Sequence, residues 1–285
     1  MYFWQLLLIE NTMDNLLEKI SNTAKFLKNE GIIDPKIGII LGTGLSKLVD
    51  EINIIKSIDY ADIPDFPVST VESHHGKLIF GELSGKKVLA MQGRFHYYEG
   101  YTMQQITFPV RVMKSLGVKY LLVSNACGAL NSEFKKGELM LLTDHINLLG
   151  SNPLIGKNHD ELGPRFPDMS KPYSTFLNKK IVEIASREKI QLYQGIYTAV
   201  PGPNLESRAE YRYLRFIGAD VVGMSTIPEI LVSHHTGLQS AAISVITDEC
   251  DPDNLEPCDI KEILKVAALA EKKLTKIVVE LVKEI

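Results

Sequence analysis

The sequence predicts an α/β fold in which a single domain has a mixed central β-sheet flanked by helices. Strand-like apolar runs alternate with amphipathic helical stretches along the 285 residues. A Ser84-Gly85 turn joins two of the strands, so this pair is antiparallel and the sheet is not purely parallel. No repeat, low-complexity tract or Pro/Ser-rich linker divides the chain, which favours one domain.

The elements follow one another as short runs that end in glycine or polar residues. Met13 begins a helix with one apolar face, and Gly31 ends it. The run KIGIILGTG from Lys36 predicts a buried strand that ends in a glycine turn, and LSKLVDEI predicts a short helix or turn. The hairpin strands cover 77–82 and 86–92. Further helices are expected at 109–116, 207–217, 228–237 and from Ile260 onward, and further strands at 119–125, 139–143, 195–200, 220–224 and 242–247.

Composition and charge exclude several classes of protein. Hydrophobic residues make up 45% of the chain, which is ordinary for a globular protein and argues against disorder. The formal net charge of −4 makes nucleic acid a poor partner, while a local pocket for a small anion remains open. Cys127, Cys250 and Cys258 form no CxxC pair, which favours a reduced, cytoplasmic protein without structural zinc.

The N-terminus carries a short apolar run, MYFWQLLLIENT. It lacks a basic n-region and a small-residue cleavage site, and it is too short to cross a bilayer. We therefore expect neither a signal peptide nor a membrane partner. Residues 1–12 are interpreted as an appendage or an upstream start, placed before a domain at 13–285.

The segment QGRFHYYEG follows a strand and combines a guanidinium, an imidazole and phenols. Ligands of open α/β sheets bind at the carboxyl ends of strands. Arg94, His96 and Tyr98 alternate, so in an extended chain they point to one side. These groups suit an anion beside a sugar, because Arg offers a fixed fork of donors, His a tunable donor and Tyr a hydroxyl. The alternative is an exposed polar loop with scattered aromatic residues.

Other strand ends also carry candidate groups, each with an ordinary structural alternative. Thr43 lies between two glycines that would let a phosphate approach, or simply form a tight turn. Ser225 in GMSTIPE lies outside any GxSxG motif and is interpreted as an anion donor. Glu206 precedes a helix, where the macrodipole alone favours a carboxylate, and Asp248 ends a strand, where turn formation is common. The seven histidines include no HExxH motif, and we expect no metal site.

Taken together, ordered motifs from about Met13 to the C-terminus resemble the trimeric purine nucleoside phosphorylases, a family that includes methylthioadenosine phosphorylase. Accidental similarity over so many motifs in one order is very improbable. The motifs are KIGIILGTGL, IPDFPVSTVESHHGKL, QGRFHYYEGY, FPVRVMKSLGV, SNACGALN, DHINLLGSNPLIG, RFPDMS, GPNLES, GADVVGMSTIPE and VITD.

The resemblance implies three subsites and a homotrimer in which Phe166 reaches into a neighbouring subunit's pocket. Catalysis is assigned to His96, Glu206 and Asp248. No cofactor is implied, because inorganic phosphate is the co-substrate. The implied phosphate ligands are Thr43, Arg94, His96, the backbone amide of Ala126, and Ser225. The implied ribose and base contacts are His74, Tyr98, Met224, residues 126–128, Leu205, Glu206, Val222, Thr247 and Asp248.

The implied reaction is reversible phosphorolysis of purine (deoxy)ribonucleosides to free base and (deoxy)ribose 1-phosphate. Three positions depart from the 6-oxopurine-specific members of the family. Asp248 replaces a usual Asn, Leu205 replaces a common Phe, and Ile260 is expected at the 5′ position in place of a His. An ionised Asp only accepts hydrogen bonds, which suits a 6-amino group.

These departures favour adenine-type substrates, whereas Glu206 and QGRFHYYEG are typical of the 6-oxopurine branch. Because the residues typical of the 6-oxopurine branch form the larger set, we predict a purine nucleoside phosphorylase acting on inosine and guanosine. The alternatives are a phosphorylase that prefers methylthioadenosine or adenosine, a non-catalytic nucleoside-binding paralogue, and a nucleoside hydrolase that would need no anion cradle.

Overall fold

Strand β1 (Ile37–Leu41) lies in the middle of the sheet, and all its residues are buried. Its unbroken apolar sequence, IGIIL, is typical of a strand covered on both faces. The protein is described by a computed structural model over residues 16–42, 46–68 and 76–285. The other strands in these ranges are β2 (Asn53–Asp59), β3 (Lys77–Leu83), β4 (Lys86–Gln92), β5 (Tyr120–Ala129), β6 (Leu139–Asn147), β7 (Leu192–Ala199), β8 (Val221–Gly223) and β9 (Gln239–Glu249).

All but one of the helices in the described ranges overlap a helix that the apolar periodicity predicts. In the described part of the chain they are α1 (Leu16–Asn29), α2 (Met103–Ser115), α3 (Thr175–Arg187), α4 (Arg208–Phe216), α5 (Ile227–His235) and α6 (Ile260–Glu284). Short 3₁₀ turns occupy Lys47–Glu51, Tyr60–Asp62 and Tyr97–Glu99. The predicted helix start at Met13 and residues 1–12 lie outside the described residues.

The nine strands form one mixed sheet in the order β2-β3-β4-β1-β5-β8-β7-β6-β9, and β5 also pairs with β9. This extra pairing joins β5, β8, β7, β6 and β9 into a closed ring of strands. β1 is parallel to β4 and β5, and β5 is parallel to β9. The carboxyl ends of these four strands therefore meet at one edge of the sheet, where polar groups that follow them in sequence come together.

The predicted α/β class with a mixed sheet is confirmed, and most elements lie where the sequence places them. The β3–β4 hairpin turns at Ser84-Gly85 as expected. Helix α2 begins at Met103, six residues before the predicted start at 109, because Thr102 and Gln105 form a capping box and Pro109 is tolerated inside the helix. Strand β5 continues to Ala129, four residues beyond the strand end predicted at 125.

Two elements are absent from the sequence-based prediction. β2 is an edge strand with mostly exposed residues, so it carries little apolar alternation. Helix α3 buries Leu177, Ile181, Ile184 and Ala185, a spacing of four and three residues that is a readable helical signal. No helix in the described ranges is long and apolar enough to cross a membrane.

Helix α6 covers one face of the sheet, and its buried side is expected to contribute much of its stability. Leu274 is 2% exposed, whereas Leu269 on the same helix is 63% exposed. Leu274→Ala should lower the free energy of unfolding by about 2–5 kcal/mol, since it removes packed methyl groups and leaves a cavity. Leu269→Ala, the matched control, should change it by less than about 0.5 kcal/mol. Urea unfolding followed by circular dichroism measures both, and equal effects would contradict the packing described here.

Candidate active site

A cavity of about 170 Å³ opens at the edge where β1, β4, β5 and β9 end. Three parts of the chain that are distant in sequence meet there: the residues after β4, the end of β5, and the turn after β8. Its walls include Gly42, Arg94, His96, Tyr98, Asn125, Ala126, Cys127, Gly128, Leu205, Glu206, Tyr211, Val222, Gly223, Met224, Ser225, Thr247, Asp248, Cys250 and Ile263.

Arg94 forms the cationic end of the cavity. Its side chain is 1% exposed, and its Nη1 donates to Ser225 Oγ at 2.7 Å and to Thr226 Oγ1 at 2.9 Å. Its Nε lies 3.5 Å from Oε1 of the buried Glu229. These contacts hold the guanidinium in one position without side-chain freedom, which suits the fixed, bidentate recognition of an oxyanion.

A tight turn at Ser225–Thr226–Ile227 places Ser225 beside Arg94. Thr226 has φ 71° and ψ −51°, and the Ile227 N–H donates to the Ser225 carbonyl at 2.8 Å. This is a γ-turn, which a threonine adopts only at a cost in strain. Helix α5 starts directly after it, so the positive end of the helix dipole faces the same region as the Arg94 guanidinium.

His96 is buried and bonded to a carboxylate. Its Nδ1 lies 3.0 Å from Glu99 Oε1, and its backbone N–H donates to the same oxygen at 2.8 Å. Burial lowers the pKa of His96, the charge of Arg94 adds to this, and Glu99 opposes it. A neutral imidazole that donates from Nδ1 to Glu99 carries a lone pair on Nε2, which can accept the proton of a hydrogen phosphate.

Tyr98 packs flat against the imidazole. The two rings are stacked with centroids 4.7 Å apart and planes 13° from parallel. Burial, with Glu99 adding to it, raises the pKa of Tyr98 to about 12, so the phenol keeps its proton at neutral pH. Tyr98 therefore offers a hydroxyl and an apolar face beside the anion end, a combination that fits a sugar.

Two carboxylates, Glu206 and Asp248, line the cavity on the side away from Arg94, because both also line a neighbouring outer cavity whose described walls do not include Arg94 or Ser225. Burial raises the pKa of Glu206, and the negative charge of Asp248 adds to the shift. Asp248 Oδ1 accepts from Thr247 Oγ1 at 2.8 Å, and its Oδ2 accepts from the Cys250 thiol at 3.1 Å. Gly128 leaves room for this pair, since a Cβ there would lie 2.4 Å from Cys250 Sγ.

The carboxylate end is continuous with an outer cavity of about 560 Å³. Glu206, Asp248 and Ile263 line both spaces. The segment from Asn254 to Asp259 forms part of the wall of the outer cavity, so there is further space beyond the two carboxylates.

The structure brings most of the predicted site residues to the inner cavity. They are Arg94, His96, Tyr98, Ala126, Leu205, Glu206, Val222, Met224, Ser225, Thr247 and Asp248. Thr43 and His74 lie outside the described residues. Phe166 does not line this cavity and is 87% exposed, with Arg165 over its ring at 5.8 Å. Ile260 is 61% exposed at the start of α6, and Ile263 one turn later lines the cavity instead.

Several residues at the site were not predicted from the sequence. Glu99 and Glu229 lie within motifs that were noted, but only the folded chain shows that they pair with His96 and Arg94. Asn125 donates to Thr226 Oγ1 at 3.0 Å. Cys250 and Tyr211 carry no motif of their own. In the described residues, no group of three or more His, Cys, Asp or Glu side chains could hold a metal ion.

The chain matches known proteins over nearly its whole length. The model of the phosphorylase superfamily matches residues 36–283. Purine nucleoside phosphorylase 1 of Bacillus subtilis is 48% identical over 261 residues, which cover 92% of this chain and 96% of the relative. Mouse purine nucleoside phosphorylase is 42% identical over 268 residues, covering 92% and 93% of the two chains.

A solved structure extends this similarity to three dimensions. The purine nucleoside phosphorylase of Schistosoma mansoni in complex with adenosine has a TM-score of 0.89 at 40% identity, covering 94% of this chain and 97% of the other. Matching sequence, matching fold and a cavity with a buried anion cradle opposite two carboxylates agree with one another. This chain therefore belongs to the phosphorylase superfamily and, within it, to the purine nucleoside phosphorylases.

Proposed function

We propose that this protein catalyses reversible phosphorolysis of inosine and guanosine, and of their deoxy forms, to free base and (deoxy)ribose 1-phosphate. The observation that carries the proposal is the distribution of charge in one cavity. Arg94 and Ser225 form a buried oxyanion site at one end, and Glu206 and Asp248 form an acceptor site at the other. A nucleoside between them would place its sugar next to the phosphate and its purine next to the carboxylates.

At the anion end, the protein holds phosphate for attack on the anomeric carbon. The transition state resembles an oxocarbenium ion, so the bound phosphate both attacks the sugar and stabilises its positive charge. Arg94, held by Ser225, Thr226 and Glu229, supplies a preorganised positive charge. The Arg94 guanidinium is thus already positioned before the reaction, and no side chain has to reorganise during it.

At the base end, the bond that breaks leaves negative charge on the purine. An ionised Glu206 can accept the N1–H of a 6-oxopurine, which fixes the ring while its five-membered part takes up negative charge; water then protonates the released base. Stabilisation that is stronger in the transition state than in the bound substrate is what accelerates the reaction. Because burial raises the pKa of Glu206, the ionised form needs a higher pH than for an ordinary glutamate.

A second candidate is a phosphorylase that prefers adenosine or methylthioadenosine. It is favoured by Asp248, whose two oxygens accept from Thr247 and Cys250 and which can accept further from a 6-amino group. A Schistosoma mansoni purine nucleoside phosphorylase has been solved with adenosine, and a schistosoma purine nucleoside phosphorylase has been solved with hypoxanthine. If the purified protein in phosphate cleaves methylthioadenosine far faster than inosine, this second candidate replaces the first.

Asp248→Asn should move substrate preference toward 6-oxopurines, because an amide can donate to the 6-oxo group and N7 whereas a carboxylate only accepts. We expect the ratio of kcat/KM for inosine to that for adenosine to rise about tenfold or more. Initial rates on inosine, guanosine, adenosine, xanthosine and methylthioadenosine measure this. Asp253→Asn, at an exposed aspartate paired with Arg212, is the matched control. An unchanged ranking in Asp248→Asn would remove that residue from substrate selection.

We also propose that the active unit is a cytoplasmic homotrimer that uses phosphate as co-substrate and no other cofactor. The exposure of Phe166 supports this assembly, because an aromatic ring left 87% exposed is available to a neighbouring subunit's sugar site. Sedimentation equilibrium gives the oligomeric state. A monomer with full activity would contradict a role for Phe166 in a neighbour's site.

A further inference from the structure

A second cavity, of about 420 Å³, lies between helix α2 and the segment 153–162, and no described residue lines both this cavity and the active-site cavity. Phe66, Phe108 and Leu154 give it apolar walls. Arg111 of α2 and His235 of α5 also line it, and we call it the Arg111 cavity.

Arg111 is a buried cation without a counter-charge among the described residues. Its side chain is 6% exposed, and its buried Nη1 has no hydrogen-bond partner in the part of the chain that the structure describes. Burial alone lowers the pKa of Arg111 to about 10, so the guanidinium stays charged at neutral pH. The carboxylate that lines the same cavity, Asp65, is paired with Lys19 at 3.2 Å. A buried charge is costly unless a group of opposite charge meets it.

His235 does not supply that opposite charge. It is 5% exposed, and burial, with the charge of Arg111 adding to it, lowers its pKa. The imidazole is therefore neutral at pH 7. A neutral ring beside a charged guanidinium leaves the cavity with a net positive charge at its inner end.

The segment 153–162 over the cavity is held by a hydrogen bond to the neighbouring Gly163 and by another from α2. Asn158 Nδ2 donates to the Gly163 carbonyl at 3.0 Å, and Gln104 Nε2 donates to the Ile155 carbonyl at 3.3 Å. Gly163 packs closely against the C-terminal end of α5: a Cβ at position 163 would lie 2.1 Å from the His235 carbonyl oxygen. This segment therefore covers one side of the cavity, and Arg111 lies below the surface of the protein.

We propose that the Arg111 cavity binds a small oxyanion, of carboxylate or phosphate type, through the guanidinium of Arg111. This anion is additional to the phosphate that the active site uses. The burial of Arg111, which is 6% exposed, and the cavity volume of about 420 Å³ favour a small anion over a side chain from a second copy of the chain. An anion bound only to the folded state stabilises that state in proportion to the logarithm of its concentration.

Crystals grown with selenate test the proposal, because the selenium atom gives an anomalous signal. We expect one peak at Arg94 and a second within hydrogen-bond distance of a guanidinium nitrogen of Arg111. In Arg111→Met the second peak should vanish and the first remain. A peak at Arg94 with none at Arg111, or a second copy's side chain seated in the cavity, would overturn the proposal. The Arg94 peak is an internal control, so a failure of the Arg111 site is distinguishable from a failure of the active-site assignment.

Thermal unfolding gives a second readout in solution. Sodium sulfate, compared with sodium chloride at equal ionic strength, should raise the Tm of the wild type on the order of 2–4 °C more than that of Arg111→Met. Lys114→Met removes an exposed cation from the same helix and should respond as the wild type does. Equal sulfate responses in wild type and Arg111→Met would contradict the site. If Arg111→Met does not fold, the selenate peak in the wild type decides.

Discussion

Arg94→Met should lower kcat/KM for phosphate by about 10²–10³-fold, the loss typical of removing one preorganised charge-stabilising group. The physical reason is that Arg94 is the buried cation at the anion end of the active-site cavity, held by Ser225, Thr226 and Glu229. Initial rates of inosine cleavage over a range of phosphate concentrations measure the effect. Arg187→Met, at a half-exposed arginine on α3, is the control and should leave the rates unchanged.

The same substitution leaves Glu229 as a buried carboxylate without Arg94, and this costs stability on the order of 3–5 kcal/mol. The double variant Arg94→Met/Glu229→Gln separates the two effects, because it removes the uncompensated charge. We expect it to recover thermal stability and to remain defective in phosphate use. Recovery of activity together with stability would show that Arg94 serves the fold and not the phosphate site.

Glu206→Gln should lower kcat/KM for inosine on the order of 10²-fold and leave the KM for phosphate nearly unchanged. An amide in place of the carboxylate loses the charge-assisted acceptor for N1–H at the base end. Initial rates with inosine varied at saturating phosphate, and the reverse, separate the two parameters. Glu183→Gln, on the exposed face of α3, is the control. A rise in the KM for phosphate would place Glu206 at the wrong end of the cavity.

The pH dependence of the wild type follows from the same group. Burial raises the pKa of Glu206 above its ordinary value of 4.5. If ionised Glu206 accepts the N1–H of inosine, as proposed, the rate of cleavage should fall as the pH drops through a pKa higher than that of a typical glutamate. The acidic fall in kcat/KM should disappear in Glu206→Gln. An identical acidic limb in both proteins would assign that titration to another group.

The sequence predicts the strands and the cluster at Arg94, His96 and Tyr98 because both depend on local pattern. Apolar runs fix β1 and β4, and parallel pairing then brings the ends of these strands together. The contact between Asp248 and Cys250 at the base end is harder to predict from local pattern. Asp248 is readable as a carboxylate at a strand end, but its contact with Cys250 depends on the path of the chain after β9.

Residues that act through other residues could not be predicted at all. The pairing of Arg94 with Glu229 depends on the direction in which α5 leaves the Ser225–Thr226 turn. The strained φ of Thr226 has no propensity signal, because threonine rarely adopts it. Arg111 looks like an ordinary helix-surface arginine, and only the packing of the segment 153–162 over α2 makes it a buried cation.

The central claim is that base release in this protein is a transfer of the sugar to phosphate. The most direct test is the dependence of hypoxanthine release from inosine on added phosphate, with the sugar product identified by ³¹P NMR. We predict release only in the presence of phosphate, with ribose 1-phosphate formed in equal amount. Release at the same rate without phosphate, with free ribose as the product, would contradict it.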